Sequence, residues 1–254
     1  MKTMIKEKKI GIPGWIIGNA VGVTLPYASF FNYFGKVEIL LPNDTEVKDL
    51  DLLVLPGGPD VEVQRYLQDD EKISFYVGKP CVYREWFDRV MLPKYMAKRT
   101  PVFGICRGHQ SFAVKNGGTL IQNMWHASNG ENRSELVHTL GIDKSILEEF
   151  EFDFGKDDEY SCQNHEVNSI HHQTVDLLPK NAVSLANFNG PHEENTNEAI
   201  AYLDYPSFTV QWHPEEIVNC ALSNEMIDKL LDKDYVNTQF EKKREIFENN
   251  IITI

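Results

Sequence analysis

Basic residues are in short supply. Twenty-five lysines and arginines stand against 38 aspartates and glutamates, leaving the 254-residue chain at a formal charge of −13. That balance counts against nucleic acid or an anionic membrane as partner, because a phosphate surface selects for the opposite sign. Cysteine is scarce and scattered: Cys81, Cys106, Cys162 and Cys220 form no C-x-x-C pair. A disulfide scaffold is therefore not expected, and a reducing, cytoplasmic compartment is. A long unbroken apolar run is also missing. Positions 10–35 carry no charge and follow a lysine-rich start, but Pro13, Gly14, Gly18, Asn19, Gly22 and Pro26 interrupt them. A membrane span needs about 20 predominantly apolar residues in continuous helix. The stretch reads instead as a strand over 9–12, a glycine-rich loop and a helix packing Leu25, Phe30, Phe31 and Phe34, not as a signal peptide. No repeat, low-complexity segment or linker divides the chain. Residues 1–254 read as one domain, 42% apolar and long enough for a sizeable core.

What is present is an alternation of short apolar runs and helical stretches. It predicts an α/β fold with a doubly wound, mostly parallel sheet flanked by helices. Residues 37–41, 51–55 and 101–105 read as strands and 84–98 as a helix. The C-terminal half looks more antiparallel, with strands expected over 135–142, 183–188 and 199–203. Residues 222–249 are strongly charged and predict one or two solvent-facing helices that close the domain.

The most informative segment is Gly104-Ile105-Cys106-Arg107-Gly108-His109-Gln110, which follows Pro101-Val102-Phe103 and precedes a helical stretch ending at Gly117-Gly118. Strand, G-x-C-x-G, helix is the thiol form of the nucleophile elbow. A Cβ two residues either side of the nucleophile would clash in so sharp a turn, which explains Gly104 and Gly108. Cys106 would stand in a strained conformation at a helix N-terminus, where free N–H groups favour thiolate. An inert buried thiol, the usual fate of a cysteine, does not account for the flanking glycines.

A thiol nucleophile needs a base, and the base needs an orienting group. Phe208-Thr209-Val210-Gln211-Trp212 reads as a strand running into His213-Pro214-Glu215, which offers imidazole and carboxylate from one strand end. In isolation this would equally be a polar turn, and Glu216 rivals Glu215. The order nucleophile, His, acid differs from the nucleophile, acid, His of serine hydrolases with the same elbow. A third element, Leu52-Leu53-Val54-Leu55 followed by Pro56-Gly57-Gly58-Pro59, places a glycine pair after a buried strand. Such an enzyme needs an oxyanion donor besides the Arg107 N–H, and backbone at Gly58 can supply it.

The G-I-C-R-G-H-Q elbow, the P-G-G loop and Q-W-H-P-E together resemble the class I glutamine amidotransferase superfamily. The run Asn168-Ser169-Ile170-His171-His172-Gln173 is similar to the N-S-x-H-H-Q segment of its gamma-glutamyl-gamma-aminobutyrate hydrolase branch, whose members cut gamma-glutamyl amides with a Cys–His–Glu triad. The resemblance covers positions 54–216 and implies a flavodoxin-like fold, no cofactor and no metal. It implies Cys106, His213 and Glu215 as catalytic residues, the acid being the residue right after proline. Gly58 and Arg107 would form the oxyanion hole. Gly57, Gln110, Ser169, His171 and Gln173 would bind substrate, Gln110 lying one helical turn past the nucleophile. Cys162, His165, His171 and His172 match no common zinc spacing, while His109, His126, His138 and His192 carry no readable signal.

The chain also departs from that pattern. Where relatives carry R-D-x-x-E before the elbow, it has Arg84-Glu85-Trp86-Phe87-Asp88, and a short D-G turn is replaced by a longer acidic stretch at 189–197. Both changes are expected to bear on the leaving group. The expected activity is hydrolysis of a gamma-glutamyl amide through a thioester on Cys106. A glutaminase feeding a separate synthetase subunit stays open as an alternative, as do a non-catalytic binding protein and a homodimer.

Overall fold

The computed structural model describes residues 7–68, 71–124, 129, 131–152, 166–189, 195–217 and 220–251. Within it, Leu52–Leu55 is buried along its whole length. A strand apolar on both faces needs cover on both. Leu52 and Val54 join one core cluster with Phe31 and Met226, whereas Leu53 and Leu55 join another with Phe87 and Leu92. Helices therefore lie on both sides of the sheet, and each large side chain they bury contributes about 1.5–3 kcal/mol.

Among the described residues ten strands make that sheet: β1 (Lys9–Pro13), β2 (Lys36–Leu40), β3 (Leu52–Leu55), β4 (Val102–Ile105), β5 (Leu120–Ile121), β6 (Gly141–Ile142), β7 (Thr174–Val175), β8 (Ala182–Asn189), β9 (Asn195–Tyr202) and β10 (Ser207–Val210). The order is β2-β1-β3-β4-β10-β9-β7-β5, with β8 also on β9 and β6 on β8. Neighbours from β2 to β10 run parallel, and the remainder pair antiparallel. The helices are α1 (Leu25–Asn32), α2 running through Val82–Trp86, a π turn at Phe87–Met91 and Leu92–Ala97, α3 (Arg107–Lys115), α4 (Lys144–Glu149), α5 (Ala221–Leu231), and α6 running through Lys233–Tyr235, a π turn at Val236–Phe240 and Glu241–Ile251. No helix among the described residues is long and apolar enough to cross a membrane.

Several expectations are revised. The glycine-rich loop is a hairpin, Trp15–Ile17 on Ala20–Gly22, turned by Gly18 at φ 59°. Leu25 is 77% exposed, because Pro26 opens the helix and turns Tyr27 and Phe31, four apart, inward. Residues 135–142 give only the short strands His138–Thr139 and Gly141–Ile142. The charged C-terminal region is more than a solvent-facing cover: Leu222, Met226, Ile227 and Leu230 give α5 a buried stripe. Cys162, His126, His165, His192 and most of the acidic stretch at 189–197 lie outside the described residues.

Candidate active site

β4 ends at Ile105, and Cys106 follows at φ 50°, ψ −107°, capping α3. A non-glycine residue held there is strained, and the surroundings enforce it. A Cβ on Gly104 would stand 2.7 Å from Thr209 Cγ2 and 3.0 Å from the Gly108 carbonyl, and one on Gly108 would land on the Leu55 carbonyl oxygen. The helix can start this close to the sheet only without those side chains. The Cys106 N–H donates to the Val210 carbonyl (2.8 Å), locking the elbow to β10, and Sγ lies 4.0 Å from the Ile170 carbonyl oxygen.

β10 leads to His213, whose Nδ1 is 2.7 Å from Glu215 Oε1. A raised imidazole pKa keeps a proton on Nδ1, which donates to Glu215 and leaves Nε2 for Cys106. Burial pulls the His213 imidazole toward the neutral form, but the Glu215 carboxylate and the Cys106 sulfur outweigh it and raise its pKa to about 10. The rival Glu216 turns away and accepts from Arg133 Nε at 2.8 Å. Asn168, quoted from sequence only as part of a motif, grips His213 from behind. Its Oδ1 accepts the His213 N–H (2.8 Å), and its Nδ2 donates to the His213 carbonyl (3.1 Å) and the Arg133 carbonyl (2.8 Å).

The P-G-G loop lies across the elbow. Gly58 has φ 153°, and a Cβ there would approach Arg84 Nη1 and Arg107 Cδ at 3.5 and 3.6 Å. Arg84, fully buried, donates to the carbonyls of Gly57 (2.9 Å) and Pro56 (2.8 Å). The Gly57 N–H donates to the Tyr27 hydroxyl at 2.8 Å, and Gly57 lacks a Cβ because one would press on His213 Cε1 at 2.7 Å. The exchanged acids of α2 prove to be internal. Arg107 donates to Glu85 Oε1 (2.6 Å) and Asp88 Oδ2 (2.8 Å), and Arg65 joins both carboxylates. Burial would raise the Asp88 carboxyl, yet Arg107, Arg84 and Arg65 hold it below its usual range. Glu85 and Asp88 thus fasten the elbow through Arg107.

The residues expected at the substrate converge less directly. The Gln110 amide donates to the Gln173 carbonyl (2.8 Å) and Gln211 Oε1 (3.1 Å). The Ser169 N–H and carbonyl are both engaged by Asn129, at 2.6 and 2.7 Å, and it is the next carbonyl, of Ile170, that faces Cys106. His171 Nδ1 lies 2.9 Å from the Gln173 carbonyl. Gln173 donates to the Tyr66 hydroxyl (3.0 Å) and the Gln122 carbonyl (3.3 Å). His172 faces outward to Asn123 and Asp60.

Residues 23–215 match the family described as Peptidase C26. The chain belongs to the Peptidase C26 family. This C26 chain is 27% identical over 219 residues to the glutamine amidotransferase-like protein YvdE of Lactococcus lactis subsp. lactis, covering 83% of this chain and 86% of that one. It is 27% identical over 191 residues to the gamma-glutamyl-gamma-aminobutyrate hydrolase PuuD of Escherichia coli, covering 70% and 67%. The crystal structure of a glutamine amido transferase from Methylobacillus flagellatus superposes with a TM-score of 0.51 at 16% identity, over 88% of this chain and 74% of that chain. This last likeness carries the α/β fold alone.

Two further histidines of the C26 chain, silent in sequence, are interior. His138 Nε2 stands 3.6 Å from Glu198 Oε2, both side chains buried. Burial raises the Glu198 carboxyl, but His138, His171 and Thr196 bring it down to about 2. His109 is shut in between Thr209 and the Asn197 carbonyl, and burial lowers its pKa to about 4. No group of three or more His, Cys, Asp or Glu among the described residues is arranged to hold a metal.

Proposed function

We propose that the chain is a free-standing cysteine hydrolase of gamma-glutamyl amides. The observation that carries this reading is the 2.7 Å contact of His213 Nδ1 with Glu215, which aims Nε2 at a cysteine held at φ 50° on an elbow. In the proposed reaction the Cys106 thiolate attacks the side-chain carbonyl of the glutamyl group. The oxyanion is held by the N–H groups of Arg107, at the open first turn of α3, and of Gly58. Imidazolium His213 protonates the departing amine, leaving a gamma-glutamyl thioester. His213 then takes a proton from water, hydroxide adds to the thioester, and glutamate leaves as the thiolate reforms. Glu215 orients the ring throughout. Gly57, Gln110 through its remaining amide oxygen, the backbone near Ser169, His171 and Gln173 are assigned to the glutamyl end.

The rival is a glutaminase that becomes competent only beside a synthetase chain. The fastening of the oxyanion loop favours independence. Pro56 and Pro59 restrict it, and Arg84 and Tyr27 hold it by three hydrogen bonds, so its donors are preformed. The purified chain should release glutamate from a panel of gamma-glutamyl amides unaided, preferring a larger leaving amine to ammonia, with Cys106→Ala inactive. Inactivity on every amide while Cys106 still reacts with a glutamine-like electrophile would replace this reading with the partner-dependent one.

A further inference from the structure

The C=O and N–H of a trans peptide lie in one rigid plane and point opposite ways. Holding one edge of the plane therefore aims the other. In the Pro56–Gly57 peptide both edges are taken: Arg84 Nη2 donates to the carbonyl at 2.8 Å, and the N–H donates to the Tyr27 hydroxyl at 2.8 Å. In the Gly57–Gly58 peptide Arg84 Nη1 takes the carbonyl at 2.9 Å. Among the described residues no backbone carbonyl accepts the Gly58 N–H on the opposite edge. One planar guanidinium thus reads two successive carbonyls, a geometry that a point-like ammonium cannot copy.

The charge of Arg84 is as notable as its shape. The side chain is fully buried, and its Nε has no hydrogen-bond partner. Glu85 and Asp88, on the same helix, form their ion pairs with Arg65 and Arg107 and not with Arg84. Asp88 senses Arg84 only at longer range. At the outer edge Arg89 and Glu62 cancel each other. Arg65, Arg84 and Arg107 against Glu85 and Asp88 leave one positive charge in excess, and it falls on Arg84. A buried cation without a paired carboxylate costs free energy, so this one is not there for stability. A Cβ on Gly58 would stand 3.5 Å from Arg84 Nη1 and 3.6 Å from Arg107 Cδ, which sets the excess charge against the peptide assigned to the oxyanion.

We propose that Arg84 is a positioning residue for the oxyanion hole: its grip on the Pro56 and Gly57 carbonyls aims the Gly58 N–H, and its uncancelled charge strengthens that donor's pull on the oxyanion. This inference rests on the hydrolase reading and deepens it.

The test compares two reactions of Cys106 in the full-length chain. Amide hydrolysis passes through an oxyanion. Alkylation by iodoacetamide does not, since the thiolate displaces iodide from carbon, one C–S bond forming as one C–I bond breaks. Mass mapping follows Cys106 apart from the other cysteines. Losing a hole donor outright costs about 10²–10³-fold in kcat, and a group acting through that donor costs less. Arg84→Gln should lower kcat on the best amide about 30-fold, with KM within about threefold and the maximal alkylation rate within about twofold. Arg84→Lys keeps the charge but not the fork and should lose about tenfold, an arm that stands if Arg84→Gln does not fold. A merely structural arginine would lower kcat and alkylation together, in step with the folded fraction, and that result would overturn the inference. Unchanged kcat in the folded variants would overturn it too, while leaving the hydrolase reading intact. A wild type inactive on every amide would remove that reading and the inference with it.

Discussion

The parallel half of the sheet and the antiparallel half hold the site by different means. On the parallel side, Cys106 and the Pro56–Gly58 loop follow directly from strand ends, as does His213. Backbone does the placing there: a strained φ at Cys106, glycines where a Cβ would strike a neighbour, and a 2.8 Å bond from Cys106 N–H to Val210. On the antiparallel side the segment from Asn168 to His172 belongs to no strand. Single side chains reaching foreign backbone hold it, Asn168 on His213 and Asn129 on Ser169. Local geometry therefore fixes Cys106 and the Pro56–Gly58 loop, and long-range polar contacts fix the segment that faces them, with Asn168 tying that segment to His213.

The largest effect should come from the parallel side. Glu215→Gln is expected to lower kcat about 10³–10⁴-fold, because the ring keeps its place while losing the partner that sets its tautomer. Glu216→Gln, which breaks only the contact with Arg133, should stay within about twofold. If the second substitution is the more damaging, the acid has been misassigned.

Asn168→Ala tests the antiparallel side. It strips partners from the buried N–H and carbonyl of His213, which costs about 1–3 kcal/mol for each buried group left unsatisfied. It should lower kcat about 10–100-fold by loosening the ring, with chemical denaturation and kinetics measured side by side. Unchanged activity in a folded variant would mean that β10 alone positions His213.

Much of the parallel half was legible in the sequence because its constraints are local. Gly104 and Gly108 announce the elbow by their spacing, and Leu52 to Leu55 announce a strand covered on both faces. Glu215 could be chosen over Glu216 only by resemblance, and the structure separates them by direction, one toward His213 and the other toward Arg133. The role of Arg84, Glu85 and Asp88 was not legible, since their partners are distant in the chain: the two acids meet Arg65 and Arg107, and Arg84 meets the Pro56 and Gly57 carbonyls. Asn168 and Tyr27 gave little signal, because an asparagine in a loop and a tyrosine on a short helix are ordinary until the backbone they touch is known. The stripe on α5 was hidden by the charge around it.

A smaller effect, on stability, comes from the interior of the antiparallel half. Glu198 sits at about 2 against an ordinary 4.5. A depressed carboxylate contributes stability that is present above about pH 4.5 and lost as pH falls toward 2. His109, at about 4 against an ordinary 6.5, is buried neutral. The unfolded chain takes up its proton first, so stability already declines between pH 6.5 and 4. Denaturation across pH should show both declines in wild type, and Glu198→Gln should flatten the lower one while extending the upper one to lower pH, because the Glu198 charge partly offsets the burial of His109. A lower decline that persists in the variant would place its origin in other carboxylates.

The central claim is that Cys106 is the nucleophile; among the described residues, neither Cys81 nor Cys220 shares its setting. Treating the purified chain with a glutamine-like diazo-ketone and mapping the adduct by mass spectrometry tests it directly. The account predicts a single label, on Cys106, formed in step with loss of glutamate release and prevented by a gamma-glutamyl amide. A label on Cys81, Cys162 or Cys220, or full activity retained in Cys106→Ala, would contradict it.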